Sequence, residues 1–454
     1  MQVFREKNMK RVVTLIVILF LTTVLIYQPV SISDEDGDNP PARNLIYGKY
    51  GGVRLDEQEV SLLYINGSFY EMGLQLGSLI EEEFSINYRA FTSFYDTQGI
   101  GKNDLISLWK QQEPYVTREV KDYIQGCADS LNITYNDLAC IWVAEGAAYT
   151  HKCSSFSAWG EATYTGELIH ARSLEFPLSI EDPITHSFIQ DYPVIVIADP
   201  TDYYAFTYPT YAGYVVEDGM NEMGIAISNM WSDNHDQTNL GTPMGIRIFE
   251  ALYSSGNAEE AIDVMTSDRT YGYNFIISDA KVPIGYAVET TANKWYAGTW
   301  NDPNEKIKPF WAIEDVVRRS NCFLHPDLAE EQREYYRPNC ALYWLDLLRG
   351  GEPWAAVWSH YKTLSIGLEK SWGKIDEINA ITLIRTVYHG GYDPVWNIIL
   401  SLRDNWTTWW QWVAKPISGT FTISFADGET SAHWTPVLSF DLLKSIEAHE
   451  PILV

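Results

Sequence analysis

The chain has 454 residues, of which 46% are hydrophobic and 14% aromatic, so it carries enough apolar side chains to bury a core and is not a disordered protein. Its formal net charge of −28 at pH 7 repels phosphate backbones and anionic lipid surfaces, which argues against a nucleic acid partner. An excess of acidic residues can also serve solubility or reflect a salty habitat, so the net charge does not identify a substrate.

The first 30 residues differ in character from the rest of the chain. Arg5, Lys7, Lys10 and Arg11 precede an apolar run at residues 12–27, which is shorter than the ~20 residues that span a bilayer upright. This pattern is typical of a secretory signal, although no clear cleavage motif follows it. We therefore predict export, with residues 1–30 as a signal peptide or a membrane anchor, the anchor forming a membrane tether through residues 12–27. Residues 31–44 form an acidic linker.

Hydrophobic periodicity next predicts a mainly helical leading segment at residues 45–152. An alternating run predicts one strand at residues 60–65. Helical patterns follow at residues 70–94, 104–112, 117–131 and 135–145.

The pattern changes to short alternating runs at Cys153, where we place the start of the core, residues 153–454. The first predicted strands are residues 153–163, 167–176, 192–198, 203–208, 213–217 and 224–230. Two helices, at residues 244–255 and 258–266, precede strands at 273–278, 286–289 and 294–298. Helices are then predicted at 327–334, 340–349, 353–362 and 378–386, and strands at 419–425 and 435–439. Strands in two groups with helices around them indicate two stacked sheets with helical layers outside, in one domain from about Leu45 onward.

The hairpin that begins at Cys153 carries the residue types of thiol chemistry. Its second strand holds Arg172, a cation that would lower the pKa of a nearby thiol, and Glu175, a carboxylate that could orient the guanidinium. Residues three apart on a regular strand face opposite sides, so these two share a site only if the strand ends or bulges near Ser173.

Several segments resemble the self-processing N-terminal-nucleophile hydrolases. The Cys-Ser-Ser start at Cys153 and residues 168–175 (LIHARSLE) are similar to the beginning of the mature chain in the penicillin acyltransferase-like family, and more distantly to choloylglycine hydrolase and acid ceramidase. Residues 67–77 (GSFYEMGLQLG), 219–229 (GMNEMGIAISN), 273–280 (YNFIISDA) and 319–321 (RSN) resemble other segments of that family in the same order. The resemblance covers roughly residues 62–348.

The resemblance implies an α+β fold, a four-layer αββα sandwich, and a self-cleavage between Lys152 and Cys153. Cys153 would then be the nucleophile, with its freed α-amine as the base and Arg172 supporting the thiolate. Asn229 and Asn321 would bind the oxyanion. Arg337 lies where choloylglycine hydrolases have a second, substrate-binding arginine. The sequence departs from the family at three positions of the second strand, with Glu175 for Asp, Ser173 for Asn and Ala171 for Gly.

The expected activity is hydrolysis of a linear, non-peptide carbon–nitrogen amide bond in a small-molecule N-acyl substrate, with acyl transfer if an amine replaces water. A second hypothesis is an uncleaved, membrane-tethered binding protein of the same fold, and a third is an esterase or phospholipase that uses the same thiol. No metal is expected, because the sequence lacks HExxH, HxxxH and CxxC spacings, and no cofactor, because it lacks GxGxxG and P-loop motifs.

Three further features allow more than one interpretation. Five cysteines leave at least one unpaired, for which we choose Cys153. His151 could assist the cut, although an exposed loop histidine is the commoner case, and His170 could simply pack in its strand. A tryptophan cluster near the C-terminus could line an acyl groove or lie at a membrane, but we favour core packing; its members are Trp396, Trp406, Trp409, Trp410 and Trp412.

Overall fold

The computed structural model describes residues 44–147, 152–332, 353–388 and 406–454. Asn44–Val454 form one compact unit. Several sequence predictions lie outside the described residues, namely the signal or anchor, most of the linker, the helix at 340–349, and His151, Arg337, Cys340 and Trp396. Across the described ranges, no helix combines the length and apolar character needed to cross a membrane.

The larger of two sheets contains ten of the described strands. In spatial order they are β1 (Leu45–Tyr47), β2 (Val53–Glu57), β3 (Val60–Gly67), β6 (Pro193–Pro200), β7 (Phe206–Tyr211), β8 (Asp218–Asn221), β9 (Ile225–Trp231), β10 (Tyr273–Asp279), β11 (Ile284–Thr290) and β12 (Trp295–Gly298). Neighbours are antiparallel except β3 and β6, which run parallel with Leu62 opposite Ile195. The leading segment therefore supplies the first three strands of this sheet.

The smaller sheet contains six described strands, all antiparallel. In spatial order they are β13 (Val316–Arg319), β4 (Lys152–Ala158), β5 (Ile169–Pro177), β14 (Trp406–Lys415), β15 (Thr420–Phe425) and β16 (Leu438–Asp441). β4 faces β9 and β10 of the larger sheet. Cys153, on β4, thus lies where the smaller sheet packs against the larger one.

Helices cover the outer face of each sheet. The leading segment provides α1 (Phe69–Leu79), α2 (Glu81–Thr97), α3 (Lys102–Gln112), α4 (Arg118–Leu131) and α5 (Tyr135–Ala139). Later helices are α6 (Met244–Ser254), α7 (Ala258–Thr266), α8 (Pro326–Ala329), α9 (Pro353–Ser371), α10 (Glu377–Tyr388) and α11 (Leu442–Ala448). α1, α6 and α7 contact the larger sheet, whereas α9 and α10 contact the smaller one. The layers run helix, sheet, sheet, helix, which confirms the predicted αββα sandwich.

Local sequence explains where the first helix begins and how closely it packs. Ser68 caps α1, accepting from the Glu71 N–H while the Glu71 carboxylate accepts from the Ser68 N–H, a reciprocal capping box. Along the helix, Gly73 and Gly77 face α4, and a Cβ on Gly73 would lie 2.2 Å from the Tyr123 carbonyl oxygen. These glycines therefore permit close approach of the two helices.

Some predicted elements differ from the observed ones. The strand predicted at 213–217 is wrong, because the chain turns at Gly213 (φ 82°) and the strand, β8, begins only at Asp218. The single helix predicted at 70–94 is divided at Ile80, which leaves the helical region with φ −130°. The helix predicted at 135–145 is α-helical only to Ala139 and continues as a 3₁₀ helix, Cys140–Ala147.

Candidate active site

Cys153 lies near the start of β4, fully buried between the sheets. Its backbone N–H donates a hydrogen bond of 2.7 Å to Oδ1 of Asn321. The Asn321 side chain is fixed in turn, because its Nδ2 donates to the Trp231 carbonyl oxygen at 2.6 Å. Two of the predicted site residues are therefore in direct contact, although they are far apart in the sequence.

A buried ion pair anchors the segment that carries Asn321. Arg319, at the end of β13, contacts Glu289 with its Nε at 2.9 Å and Glu305 with its Nη1 at 3.0 Å. Glu289 also accepts from the Leu324 backbone N–H at 2.9 Å, so the chain is held on both sides of Asn321. Such paired charges in a dry interior require mutual hydrogen bonding to offset their desolvation. The arrangement makes this loop a rigid support.

Arg172 lies on the neighbouring strand, on the same face as Cys153. In the β4–β5 register Cys153 is opposite Leu174 and Ser155 is opposite Arg172, so all four side chains point toward the larger sheet. Burial raises the pKa of the Cys153 thiol to about 11, while the charge of Arg172 and its hydrogen bond act in the opposite direction. The thiol is therefore protonated at neutral pH.

The charged partner of Arg172 is Asp218, which sequence reasoning missed. Oδ2 of Asp218 lies 3.3 Å from Nε of Arg172, and both side chains are fully buried. Burial raises the pKa of Asp218 to about 7, whereas Arg172 and two indole N–H donors, from Trp410 and Trp412, lower it. In the sequence, Asp218 stands in an Asp-Gly pair, which is typical of a turn, whereas the structure places it at the start of β8.

Glu175 does not share a site with Arg172. The β4–β5 register is regular from Lys152 opposite Glu175 to Ala158 opposite Ile169, so β5 has no bulge near Ser173. Glu175 consequently faces the helical layer, where its Oε2 lies 3.8 Å from Nδ1 of His360. The expectation that Glu175 orients the Arg172 guanidinium is therefore wrong, because Asp218 lies beside Arg172 instead. A role for Glu175 in catalysis stays a prediction.

Asn229, on β9, is engaged by a second acidic residue. Its Nδ2 donates to the backbone oxygen of Glu217 at 2.6 Å and to Oε2 of the same residue at 2.7 Å. Tyr214 donates to the other carboxylate oxygen at 3.0 Å. Burial raises the pKa of Glu217, against the hydrogen bond from Asn229 and the charge of Arg172. To bind an oxyanion, Asn229 would have to release one of these two bonds.

His170 belongs to a polar cluster between the sheets. Its Nε2 lies 2.8 Å from the Ser228 hydroxyl and its Nδ1 2.7 Å from the Ser278 hydroxyl, and its ring stacks on Trp412. Burial, reinforced by Arg172, lowers the pKa of His170 to about 3. A neutral imidazole joins the sheets here, in agreement with the packing interpretation.

The sequence also singled out other cysteines and tryptophans, and two of these, Trp410 and Trp412, donate to Asp218. Cys127, Cys140 and Cys322 are buried free thiols, as is Cys153. Trp409, Trp410 and Trp412 are fully buried on β14, which agrees with core packing. In the part of the chain that the structure describes, no three His, Cys, Asp or Glu side chains are grouped as metal ligands.

Comparison with known proteins gives partial similarities. No protein-family model matches the chain. It is 24% identical over 172 residues to Protein dcd1B of Dictyostelium discoideum, a match that covers 32% of this chain and 32% of that protein. The chain thus matches about a third of the length of this curated relative.

Similar solved structures include a penicillin V acylase from Agrobacterium tumefaciens, at 17% identity and TM-score 0.35, covering 64% of this chain and 91% of that one. They also include two variants of the conjugated bile acid hydrolase from Clostridium perfringens. The first variant has 13% identity and a TM-score of 0.35, and the match covers 66% of this chain and 96% of that one. The second variant has 12% identity and a TM-score of 0.37, and the match covers 64% of this chain and 93% of that one.

Proposed function

We propose that this chain is an amide hydrolase of the N-terminal-nucleophile type, which cuts itself between Lys152 and Cys153 and then uses the Cys153 thiol on a small N-acyl substrate. The observation that carries the proposal is the 2.7 Å bond from the Cys153 nitrogen to Asn321, beside the buried Arg172. The nitrogen that is a peptide amide in the uncut chain becomes the α-amine after cleavage, and Asn321 is already in place to orient it.

In the self-cleavage, the Cys153 sulfur attacks the carbonyl carbon of Lys152. The bond between that carbon and the Cys153 nitrogen breaks, and the nitrogen takes up the thiol proton to become the free α-amine. Water then hydrolyses the thioester, releasing the new carboxylate of Lys152 and regenerating the thiol.

The same residue then carries both nucleophile and base. A free α-amine has a reference pKa of about 7.7–8.0, so it can accept the thiol proton near neutral pH. The thiolate attacks the substrate carbonyl, donors such as the amide of Asn229 or Asn321 stabilise the oxyanion, and the α-ammonium protonates the leaving amine. Water releases the acyl group, or an acceptor amine takes it, in which case the site is an acyltransferase.

The proposed place of action is outside the cell. Residues 1–30 would direct export, and the protein would then be either released or tethered through residues 12–27. The net charge of −28 argues against nucleic acid as a partner and does not by itself identify the substrate.

Intact mass and N-terminal sequencing of the purified protein test the proposal. We expect a fragment that begins at Cys153, and Cys153→Ala should abolish both the cut and the hydrolysis of amide probes such as penicillin V, conjugated bile acids and N-acyl amino acids. Cys127→Ala, which removes another buried free thiol, is the matched control and should be cut normally. One species near 51.8 kDa and no fragment starting at Cys153 would rule out self-processing.

The same assay separates the other hypotheses. An uncut chain that binds N-acyl amides without turnover would favour the binding protein. Faster turnover of ester probes than of matched amides, lost in Cys153→Ala, would favour the esterase.

A further inference from the structure

One buried carboxylate links the two sheets beside the nucleophile. Asp218 is the first residue of β8 in the larger sheet, whereas Arg172, Trp410 and Trp412 belong to β5 and β14 of the smaller sheet. We propose that Asp218, held by the two tryptophans, is the positioning residue that fixes Arg172 against the Cys153 thiol. This inference deepens the proposed function and rests on it.

Both oxygens of the Asp218 carboxylate are engaged. Oδ1 accepts from Nε1 of Trp412 at 2.9 Å, and Oδ2 accepts from Nε1 of Trp410 at 3.1 Å and lies 3.3 Å from Nε of Arg172. An indole nitrogen is a donor only, and a guanidinium has no acceptor, so all three partners require an acceptor at this point. A carboxylate accepts from both indoles and places its negative charge beside the guanidinium, and rotation about its terminal torsion would break the bonds to both tryptophans.

Arg172 is thereby held in one orientation. Its Nε lies 3.3 Å from Oδ2 of Asp218 in an ion pair without a hydrogen bond, its Nη1 donates to the Ser173 carbonyl oxygen, and its guanidinium also interacts with the Cys153 thiol. Its Nη2, like its Nε, has no hydrogen-bond partner in the described part of the chain. A buried unpaired donor costs free energy, and a substrate oxygen bound there would remove that cost. The orientation set by Asp218 therefore decides whether Arg172 can contact the Cys153 thiol and donate a hydrogen bond to the substrate at the same time.

The local charge balance makes this centre sensitive to pH. Arg172 is the cation, and it faces two buried carboxyl groups, Glu217 and Asp218, as well as Cys153 and the neutral ring of His170. Two carboxylates beside one cation repel each other, so the pair favours keeping one proton. If that proton is lost, the second carboxylate attracts Arg172 more strongly. Arg172 then lowers the pKa of the Cys153 thiol by less.

Indole NMR tests the pairing without relying on activity. In ¹⁵N-tryptophan protein, Trp410→Phe and Trp412→Phe assign the two indole N–H signals. We expect both signals to titrate with a midpoint near the pKa of Asp218, about 7. Arg172→Met should raise that midpoint, because it removes the neighbouring cation. Asp218→Asn should displace both signals and abolish their titration, and signals that do neither would overturn the proposal.

The rate of self-cleavage tests the positioning. Asp218→Asn should form the fragment beginning at Cys153 about 100-fold more slowly, since a small misplacement of a site group can cost this much. It should also lower the pH midpoint of Cys153 alkylation in the cut chain, because Arg172 loses its counter-charge. A merely structural role would not move that midpoint. Wild-type rate and midpoint in Asp218→Asn would overturn the proposal.

Two controls keep the outcomes distinct. Asp279→Asn removes another buried carboxylate, at the opposite end of β10 from the site, and should cleave at the wild-type rate. If Asp218→Asn does not fold, Trp410→Phe and Trp412→Phe each remove one indole donor, and unchanged cleavage in both would contradict the inference. A wild-type chain that is never cut would sink the proposed function, whereas the indole signals would still decide whether Asp218 pairs with Arg172.

Discussion

At the scale of single residues, the contact between Cys153 and Asn321 joins the start of β4 to the loop that follows β13. Burial keeps the Cys153 thiol protonated, and among the described residues the charge of Arg172 acts against this effect. The buried thiol is therefore a weak nucleophile, and in the proposed cut its reactivity depends on the groups that orient the bond between Lys152 and Cys153.

Replacing Asn321 tests that dependence. Asn321→Ala removes the acceptor of the Cys153 N–H, and we expect the Cys153 fragment to form about 100-fold more slowly, the loss typical of a site amide. A time course on denaturing gels measures the rate. Asn87→Ala is the control. Asn87 is also a buried amide, but it bonds the backbone carbonyl oxygens of Ile189 and Ala212 and not Cys153. Equal rates in wild type and Asn321→Ala would contradict this role.

His170 gives a prediction about pH and stability. Its pKa falls to about 3 on folding from an ordinary value of 6.5, so below pH 6.5 the unfolded chain binds a proton that the folded chain does not. Stability from this residue is present above pH 6.5 and is lost as the pH falls toward 3, by up to about 1.4 kcal/mol per pH unit.

Urea unfolding at pH 7, 6 and 5 measures this loss. His170→Gln should flatten the decline in the free energy of unfolding, because no imidazole remains to be protonated. His235→Gln changes an exposed histidine and serves as the control. A decline of the same slope in wild type and His170→Gln would show that other groups account for it.

At the scale of elements, α1 and α4 pack as closely as their glycines allow. A Cβ on Gly126 would lie 2.0 Å from the carbonyl oxygen of Tyr70, and one on Gly77 would lie 2.0 Å from the hydroxyl of Ser130. No side chain fits at these distances, so the helices would have to separate.

Gly126→Ala should therefore destabilise the protein despite alanine's better helix propensity. We expect a loss of about 3 kcal/mol in the free energy of unfolding, at the upper end of overpacking effects. Denaturant titration measures it. At Gly101 a Cβ would meet nothing closer than 3.4 Å, so Gly101→Ala should cost about 1 kcal/mol or less, the effect of an altered N-cap. Similar losses in the two variants would refute the packing argument.

At the scale of the whole molecule, the proposed cut does not divide the sandwich into separate bodies. β1, β2 and β3 precede Cys153, yet β3 pairs along its length with β6, which follows it. α1 also contacts β6. Removing the leading segment would expose the edge of β6 and the apolar face beneath α1.

The two fragments should consequently remain associated after cleavage. We expect one particle of about the uncut mass by size-exclusion chromatography with light scattering, and two bands on a denaturing gel. Mild urea should not separate the fragments below the main unfolding transition. Elution of the leading segment by itself in native buffer would contradict this expectation.

Local signals in the sequence were sufficient to predict many helices and strands. α7 has the predicted bounds, 258–266, because Asn257 caps its first turn and its apolar residues follow helical spacing. β14 was missed, because Trp409, Trp410 and Trp412 are all buried and the strand lacks the alternation of a half-exposed strand. β13 was missed because two arginines, Arg318 and Arg319, are typical of an exposed segment. Both are buried, and Arg319 is paired with Glu289 and Glu305, which are distant in the sequence.

The sequence by itself determined the order of layers and the hairpin that begins at Cys153 and carries Arg172, because periodicity is a property of neighbouring residues. The candidate Asn321 came from the family resemblance, which depends on the order of short motifs along the chain. Only the tertiary structure decided that Asp218 rather than Glu175 faces Arg172. That choice depends on strand register and on the contact between two sheets, and the spacing within one strand contains no information about what the opposite sheet presents.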